Sequence, residues 1–426
     1  MLDALNDGFK CAFSFSGVVV EQLEKWGGDA FELFKQVAEH KNSEILAQTY
    51  YHSVAGLFAD KDELEEQIRL HVELMRDVFG VKPAVFENTE FIFNNSIAGV
   101  AKKLRFKAIY TEGVERILGR RSPNYVYSCD GIKVLMRNYR LSDDIAFRFS
   151  SVEWDQYPLT ADKFAGWLKA TPGDCINIFI DYETFGEHHW KESGILEFLR
   201  WLPIECTDKG VEFAKPSELA ELRARDEISV GDFDTISWAD IEKDVSAWLG
   251  NSMQLTAFKA IEKCKIYAKH YCKKIWRYLQ TSDHFYYMAT KRGSSGEVHS
   301  YFSQQTQFDA FSTYMRILSH YEEMCACKMK SRKAAMALRS LPPEKAFHFF
   351  KSSGCSAYSL DEFAELLNSV PEESIAFHVE RQDFSRWVAE VLGDEELARR
   401  IATCKSRREL MEVVERRRCE LWRLLK

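Results

Sequence analysis

The sequence predicts an α/β protein on a parallel sheet, with a helical segment and a small α+β module behind it. Strand-like and helix-like patterns alternate through residues 1–235, and repeated alternation of that kind builds a parallel sheet, open or closed into a barrel. Cys175-Ile176-Asn177-Ile178-Phe179-Ile180 is the most apolar run, of the unbroken type that parallel sheets bury on both faces. Beyond Ser237 the pattern turns to helices without strands.

Met1–Gly8 reads as the last turn of a helix, with Gly8 as its stop. A chain seldom starts this way, so a segment upstream is expected to be missing. A strand at 11–16 follows, then a helix over 18–39 and a short strand over 45–49. Leu64, Ile68, Val72 and Met75 recur three or four apart, which predicts an amphipathic helix over 62–79. Further strands are expected at 83–86 and 107–111, with a helix near 97–104 between them. Tyr125–Cys129 and Lys133–Arg137 form a hairpin about Asp130-Gly131. A helix at 162–169 leads to the apolar strand 175–180, and a helix at 194–202 to a last strand at 211–213. Helices are then expected at 238–250, 255–279 and 310–329. The basic stretch 331–341 and Pro342-Pro343 end that region. The domains expected are 1–235, 236–330 and 340–426, the last a small α+β module.

Composition narrows the function. A net charge of −8 speaks against a nucleic-acid partner, because phosphate binding needs a basic surface. Aromatic residues make up 13% of the chain, enough for a large core or for platforms that stack on flat ligands such as sugars. Eleven cysteines, scattered without metal-ligand spacing, suit reduced thiols in a cytoplasm. No apolar run approaches the ~20 residues that span a bilayer.

Two predicted strands run into carboxylates that a core would not want. Pro83–Phe86 leads into Glu87-Asn88-Thr89-Glu90, and Cys175–Ile180 into Asp181-Tyr182-Glu183-Thr184-Phe185-Gly186-Glu187-His188-His189-Trp190. In a barrel, both acids would stand over the C-terminal mouth, where such folds place their chemistry. Glycoside hydrolysis needs a carboxylate to attack the anomeric carbon and a carboxylic acid to protonate the leaving oxygen. Apolar neighbours Ile180, Phe185 and Trp190 would help Asp181 keep its proton. On pattern alone, helix capping or pairing with Lys and Arg on the rim is the plainer reading. A metal site made by Asp181, Glu183, Glu187, His188 and His189 is a third.

Longer motifs change the balance. Asn88-Thr89-Glu90, Asp181–His188, Thr281–Met288, Gln48–Ser53, Arg137–Asp144, Ser237–Asp240 and Ala247–Asn251 resemble, in order, conserved stretches of glycoside hydrolase family 57, the archaeal α-amylase type. The resemblance covers about residues 8–325. It implies a retaining enzyme acting on α-1,4-glucans or maltooligosaccharides, as amylase or 4-α-glucanotransferase, on an incomplete (β/α)7 barrel, with no cofactor or metal. It makes Glu90 the nucleophile and Asp181 the general acid/base. His52, Glu183, Trp238, Trp248, Asp283 and Tyr286 fall at positions expected to contact sugar. For Trp238 and Trp248, helix packing is an equal alternative, and likewise for Tyr286. The family's first strand, ending in His-Gln-Pro, has no counterpart here, so a weakly active glucan-binding remnant is the competing expectation. A metal-dependent carbohydrate deacetylase is another. Glu87 stands where archaeal relatives commonly carry a basic residue; as strand positions 87 and 90 face opposite ways, only a mild effect on Glu90 is expected.

The last module, with His348 and His378 in what read as similar strand contexts, resembles a small domain of unknown function found behind archaeal enzymes of this kind. Both histidines are expected to be packing residues.

Overall fold

The computed structural model describes all residues except 292–304, 351, 353 and 426. The chain forms two compact units, Met1–Val245 and Ser246–Lys426.

The first unit is α/β, as expected. Strand β1 (Cys11–Phe13) pairs in parallel with β2 (Ser43–Ile45). The chain runs on from β2 to Ala47, which bridges in parallel to Phe86 of β3 (Val85–Glu87). Strand β3 pairs in parallel with β4 (Ala108–Glu112). Strands β5 (Tyr127–Cys129) and β6 (Ile132–Arg137) form the predicted hairpin, and β6 lies parallel to β4. Asp130 and Gly131 both take positive φ at its turn, the geometry that a tight hairpin demands. The Asp62–Phe79 helix has its predicted bounds and ends on Gly80 in the left-handed conformation.

Three expectations are corrected. The helix over 18–39 is two helices, Gly17–Trp26 and Asp29–Glu39, because Gly27-Gly28 interrupts it and Gly28 takes φ 49°. The apolar run 175–180 is extended but makes a single bridge, Arg137 to Asn177, and most of it is only half-buried. Residues 211–213 form no strand. Apolarity alone does not secure a ladder; a neighbouring backbone must be in register as well.

One apolar cluster takes a residue or two from each successive member of this series. Ala12 of β1, Leu46, Val85 of β3, Tyr110 of β4, Leu135 of β6 and Phe179 pack together. Past the two ends of the series, Phe13 and Tyr182 approach with ring centroids 6.3 Å apart.

In the second unit, only Ser246–Leu249 of the predicted 238–250 helix is helical. The predicted helix over 255–279 is broken into Ser252–Lys263, Lys265–Ala268 and Lys273–Tyr278. A long helix, Gln307–Ala326, follows. The C-terminal part pairs two short antiparallel strands, β7 (Phe347–His348) and β8 (Ser356–Ala357), beside helices that share one core. His378 lies in the Glu372–Glu380 helix rather than a strand. Its Nδ1 meets Asp383 at 2.9 Å and its Nε2 accepts from the Phe350 N–H, so it packs, as expected. No described helix is long and apolar enough to cross a membrane.

Candidate active site

Strand ends supply the site. The C-terminal ends of β1, β2, β3, β4 and β6 lead to Ser14, Gln48, Glu87, Glu112 and Arg137, and the parallel run 175–180 leads to Asp181.

Glu90 sits in a one-turn 3₁₀ segment, Thr89–Phe91, directly after β3. Its φ is 59° and that of Phe91 is 55°, a left-handed conformation that costs non-glycine residues free energy. His52, after β2, is also left-handed, with φ 49°. The two turns are tied by a Thr49–Thr89 hydroxyl contact of 2.5 Å, and Thr49 Oγ1 accepts from the Ser53 N–H. Strain of this kind persists only where surroundings fix it, and it collects at functional sites.

Trp238 locks Glu90 from the other side. Its indole N–H donates to Glu90 Oε2 at 2.7 Å, and its backbone N–H donates to the Glu90 carbonyl at 3.1 Å. The indole stacks on Phe91 with centroids 5.0 Å apart, and the Arg137 guanidinium lies 5.7 Å from it. Phe179 meets Phe91 edge-on at 4.6 Å. These rings form an apolar wall between the β3 end and the run that carries Asp181.

Asp181 precedes the 3₁₀ turn Tyr182–Thr184. Solvent reaches the residue, yet protein crowds its carboxyl, and this loss of hydration is the main reason its pKa is pushed up to about 6. The charges of Glu183 and Glu90 raise it further, while His188 and Arg137 oppose them. Arg137 fixes the approach to Asp181. Buried, it donates to the Phe179 carbonyl at 2.6 Å, to Glu112 at 2.8 Å and to Asp143 at 2.7 Å. Asn177 is held on both sides: its carbonyl accepts from the Asn138 N–H and its amide donates to the Met136 carbonyl.

Glu87, expected to face away from Glu90 along a strand, is a buried acid at the end of β3. It is 6% exposed, and its pKa is pushed up to about 8, chiefly by burial. The Ser14 hydroxyl, which donates to Glu87 Oε2 at 2.8 Å, works against this, as does the Phe91 N–H; the charges of Glu90 and Asp181 add to it. Alternation fails here because β3 ends at Glu87 and Glu90 belongs to a left-handed turn.

Of the residues expected to contact sugar, His52, Glu183 and Trp238 lie in the unit that holds Glu90 and Asp181. Trp248, Asp283 and Tyr286 belong to the second unit. Trp248 is 1% exposed, so no face of its ring is open to a sugar and it serves the core. Asp283 is exposed and Tyr286 half-buried. Sequence reasoning missed Ser14 and Phe179 as site residues; Glu87 drew notice only as a neighbour of Glu90, and Arg137 only as the first residue of the 137–144 motif. His189 is engaged at both ring nitrogens, by Ser150 and by the Ile145 and Ala146 carbonyls. Among the described residues no group of three His, Cys, Asp or Glu side chains is placed to hold a metal ion.

Glu90, held by the Trp238 indole, and Asp181, whose proton affinity is raised, thus follow separate strand ends in unlike surroundings, an arrangement suited to chemistry that needs two different acids. The sequence profile of glycosyl hydrolase family 57 matches residues 3–231, and the chain belongs to this family of glycoside hydrolases. A protein of Methanocaldococcus jannaschii, provisionally named an α-amylase, is 51% identical over 330 residues, covering 74% of this chain and 71% of its own. In fold, the chain is similar to a family 57 branching enzyme of Pyrococcus horikoshii (TM-score 0.55, 15% identity, 76% of this chain and 84% of that one). It is likewise similar to a family 57 branching enzyme of Thermococcus kodakaraensis (TM-score 0.54, 13% identity, 75% and 71%).

Proposed function

We propose that the protein is a retaining glycoside hydrolase or transglycosylase acting on α-1,4-glucans, with Glu90 as nucleophile and Asp181 as general acid/base. The observation that carries this reading is the unlike environment of two neighbouring acids. Glu90 receives a hydrogen bond from the Trp238 indole, and Asp181 keeps its proton to about pH 6 while feeling the charge of Glu90. The names of the M. jannaschii and branching-enzyme relatives support α-glucan as substrate.

In the first step a Glu90 oxygen bonds to the anomeric carbon as the glycosidic C–O bond breaks, and the Asp181 proton passes to the leaving oxygen. In the second, Asp181 takes a proton from water or an acceptor hydroxyl, whose oxygen displaces Glu90. His52, Glu183 and Trp238 are the proposed sugar contacts around this pair; Asp283 and Tyr286 are proposed on the resemblance of the 281–288 run alone. We further propose that the first unit is an incomplete (β/α)7-type barrel. Supporting this are the cluster that β1, β3, β4, β6 and the run 175–180 share and the approach of Phe13 to Tyr182.

The test is proton NMR of the first products from a maltooligosaccharide. Products first released as α-anomers are expected, and Glu90→Gln should abolish turnover while leaving glucan binding intact. Initial β-anomers, or a Glu90→Gln variant that keeps a tenth of the activity or more, would refute the assignment.

A further inference from the structure

Glu87 is a buried acid that the two-acid mechanism does not use. It is the last residue of β3, registered against Tyr110 of β4, and its own N–H donates to the Ala47 carbonyl at 2.8 Å. A short relay meets its carboxyl: Gln48 Nε2 donates to Ser14 Oγ at 2.8 Å, and Ser14 donates on to Glu87 Oε2. The relay makes Oε2 an acceptor, and the Phe91 N–H also donates to this carboxyl. Among the described residues no Lys or Arg forms an ion pair with this carboxyl, although charged acids are seldom buried unpaired. The titratable groups on the elements around it are Glu90 on the following turn, Asp181 beyond the apolar run, Tyr110 on β4 and His71 behind Gln48. Burial pushes the Tyr110 phenol up and the His71 imidazole down to about 4, so both are neutral near pH 7. The charges that bear on this desolvated carboxyl are those of two acids, Glu90 and Asp181.

Resting on the family 57 assignment of Glu90 and Asp181, we propose that Glu87 is a positioning residue. It is a neutral carboxylic acid, held by Ser14 and Gln48, that fills the space beside both catalytic acids without adding a charge. An ionised Glu87 would make a third negative charge among Glu90 and Asp181, raising the cost of ionising Glu90. A neutral Glu87 lets one acid stay ionised while the other holds its proton. Its raised proton affinity agrees with this and follows from the same burial.

Two measurements test the proposal. Glu87→Gln replaces the neutral acid by a neutral amide of the same shape. The alkaline limb of kcat/KM on maltooligosaccharide is expected to stay unmoved near pH 6. If Glu87 were ionised, the substitution would remove a negative neighbour of Asp181, and that limb would move to lower pH; such a movement overturns the proposal. Infrared difference spectra of wild type against Glu87→Gln at pH 7 should show one protonated-carboxyl carbonyl band unique to wild type and lost near pH 8. Other acids raised by burial, Glu322 and Glu362, are common to both proteins and cancel. Absence of that band also overturns it. The infrared result needs no turnover, so an inactive protein would count against the proposed function alone. Should Glu87→Gln fail to fold, Ser14→Ala, which removes the hydrogen bond to this carboxyl, should move the same band in a difference spectrum against wild type at pH 7, and no moved band overturns the proposal.

Discussion

Replacing Arg137 by Met probes the scaffold that delivers Asp181. The guanidinium satisfies Glu112, Asp143 and the Phe179 carbonyl together, and Glu112 is wholly buried. Removing one partner of a buried ion pair costs about 3–5 kcal/mol, because the remaining charge is left uncompensated. Glu112 would keep Lys243 at 3.1 Å and the Gly113 N–H at 2.8 Å, which places the cost near the low end, about 3 kcal/mol. The orphaned Phe179 carbonyl adds about 1 kcal/mol. For a domain of this size each kcal/mol lowers Tm by about 2–4 °C, so Arg137→Met should lower it by roughly 8–16 °C. Asp181 lies two residues beyond the released carbonyl, and kcat should fall about tenfold or more through loss of alignment. Urea unfolding and scanning fluorimetry read the first effect, and maltooligosaccharide hydrolysis the second. Adding Glu112→Gln to Arg137→Met removes the uncompensated charge and should recover about 1–2 kcal/mol. A single variant within 1 kcal/mol of wild type, or a double variant no more stable than the single, would refute the role given to this pair.

Three further outcomes are expected. Asp181 must hold a proton for the first step, so activity should fall as pH rises through about 6. The Glu183 charge raises that pKa, and Glu183→Gln should shift the limb to lower pH by less than about one unit, since burial is the larger cause; a shift upward would contradict the electrostatics. Trp238→Phe keeps the ring against Phe91 but loses the indole donor to Glu90. A charge-assisted hydrogen bond is worth about 1.5–3 kcal/mol, so kcat/KM should fall about tenfold to a hundredfold, and an unchanged value would show the bond to be incidental.

Much of the scaffold could be read before any coordinates. Helical periodicity located Asp62–Phe79, and Asp130-Gly131 located the hairpin, because in both the deciding interactions are local. Motif resemblance located Glu90 and Asp181, which pattern alone left ambiguous with rim carboxylates. What escaped depended on neighbours distant in sequence. The 175–180 run looked like the firmest strand, yet pairing requires a registered partner, and only Asn177 has one. Arg137 was visible as part of a motif, but its importance comes from partners on β4, on the helix after β6 and in the run before Asp181. Strand alternation misjudged Glu87 because a left-handed turn begins three residues later. Trp248 satisfied a core pattern and a stacking pattern equally well, and only its burial separates them.

Incubation with a fluorinated α-glucosyl fluoride, which forms a covalent glycosyl-enzyme faster than it is released, followed by peptide mass spectrometry, would examine the nucleophile itself. The account predicts one added fluoroglucosyl group, carried by the Glu90 side chain and absent from Glu90→Gln. A label on Glu87, on Asp181 or outside the β3 turn would contradict it.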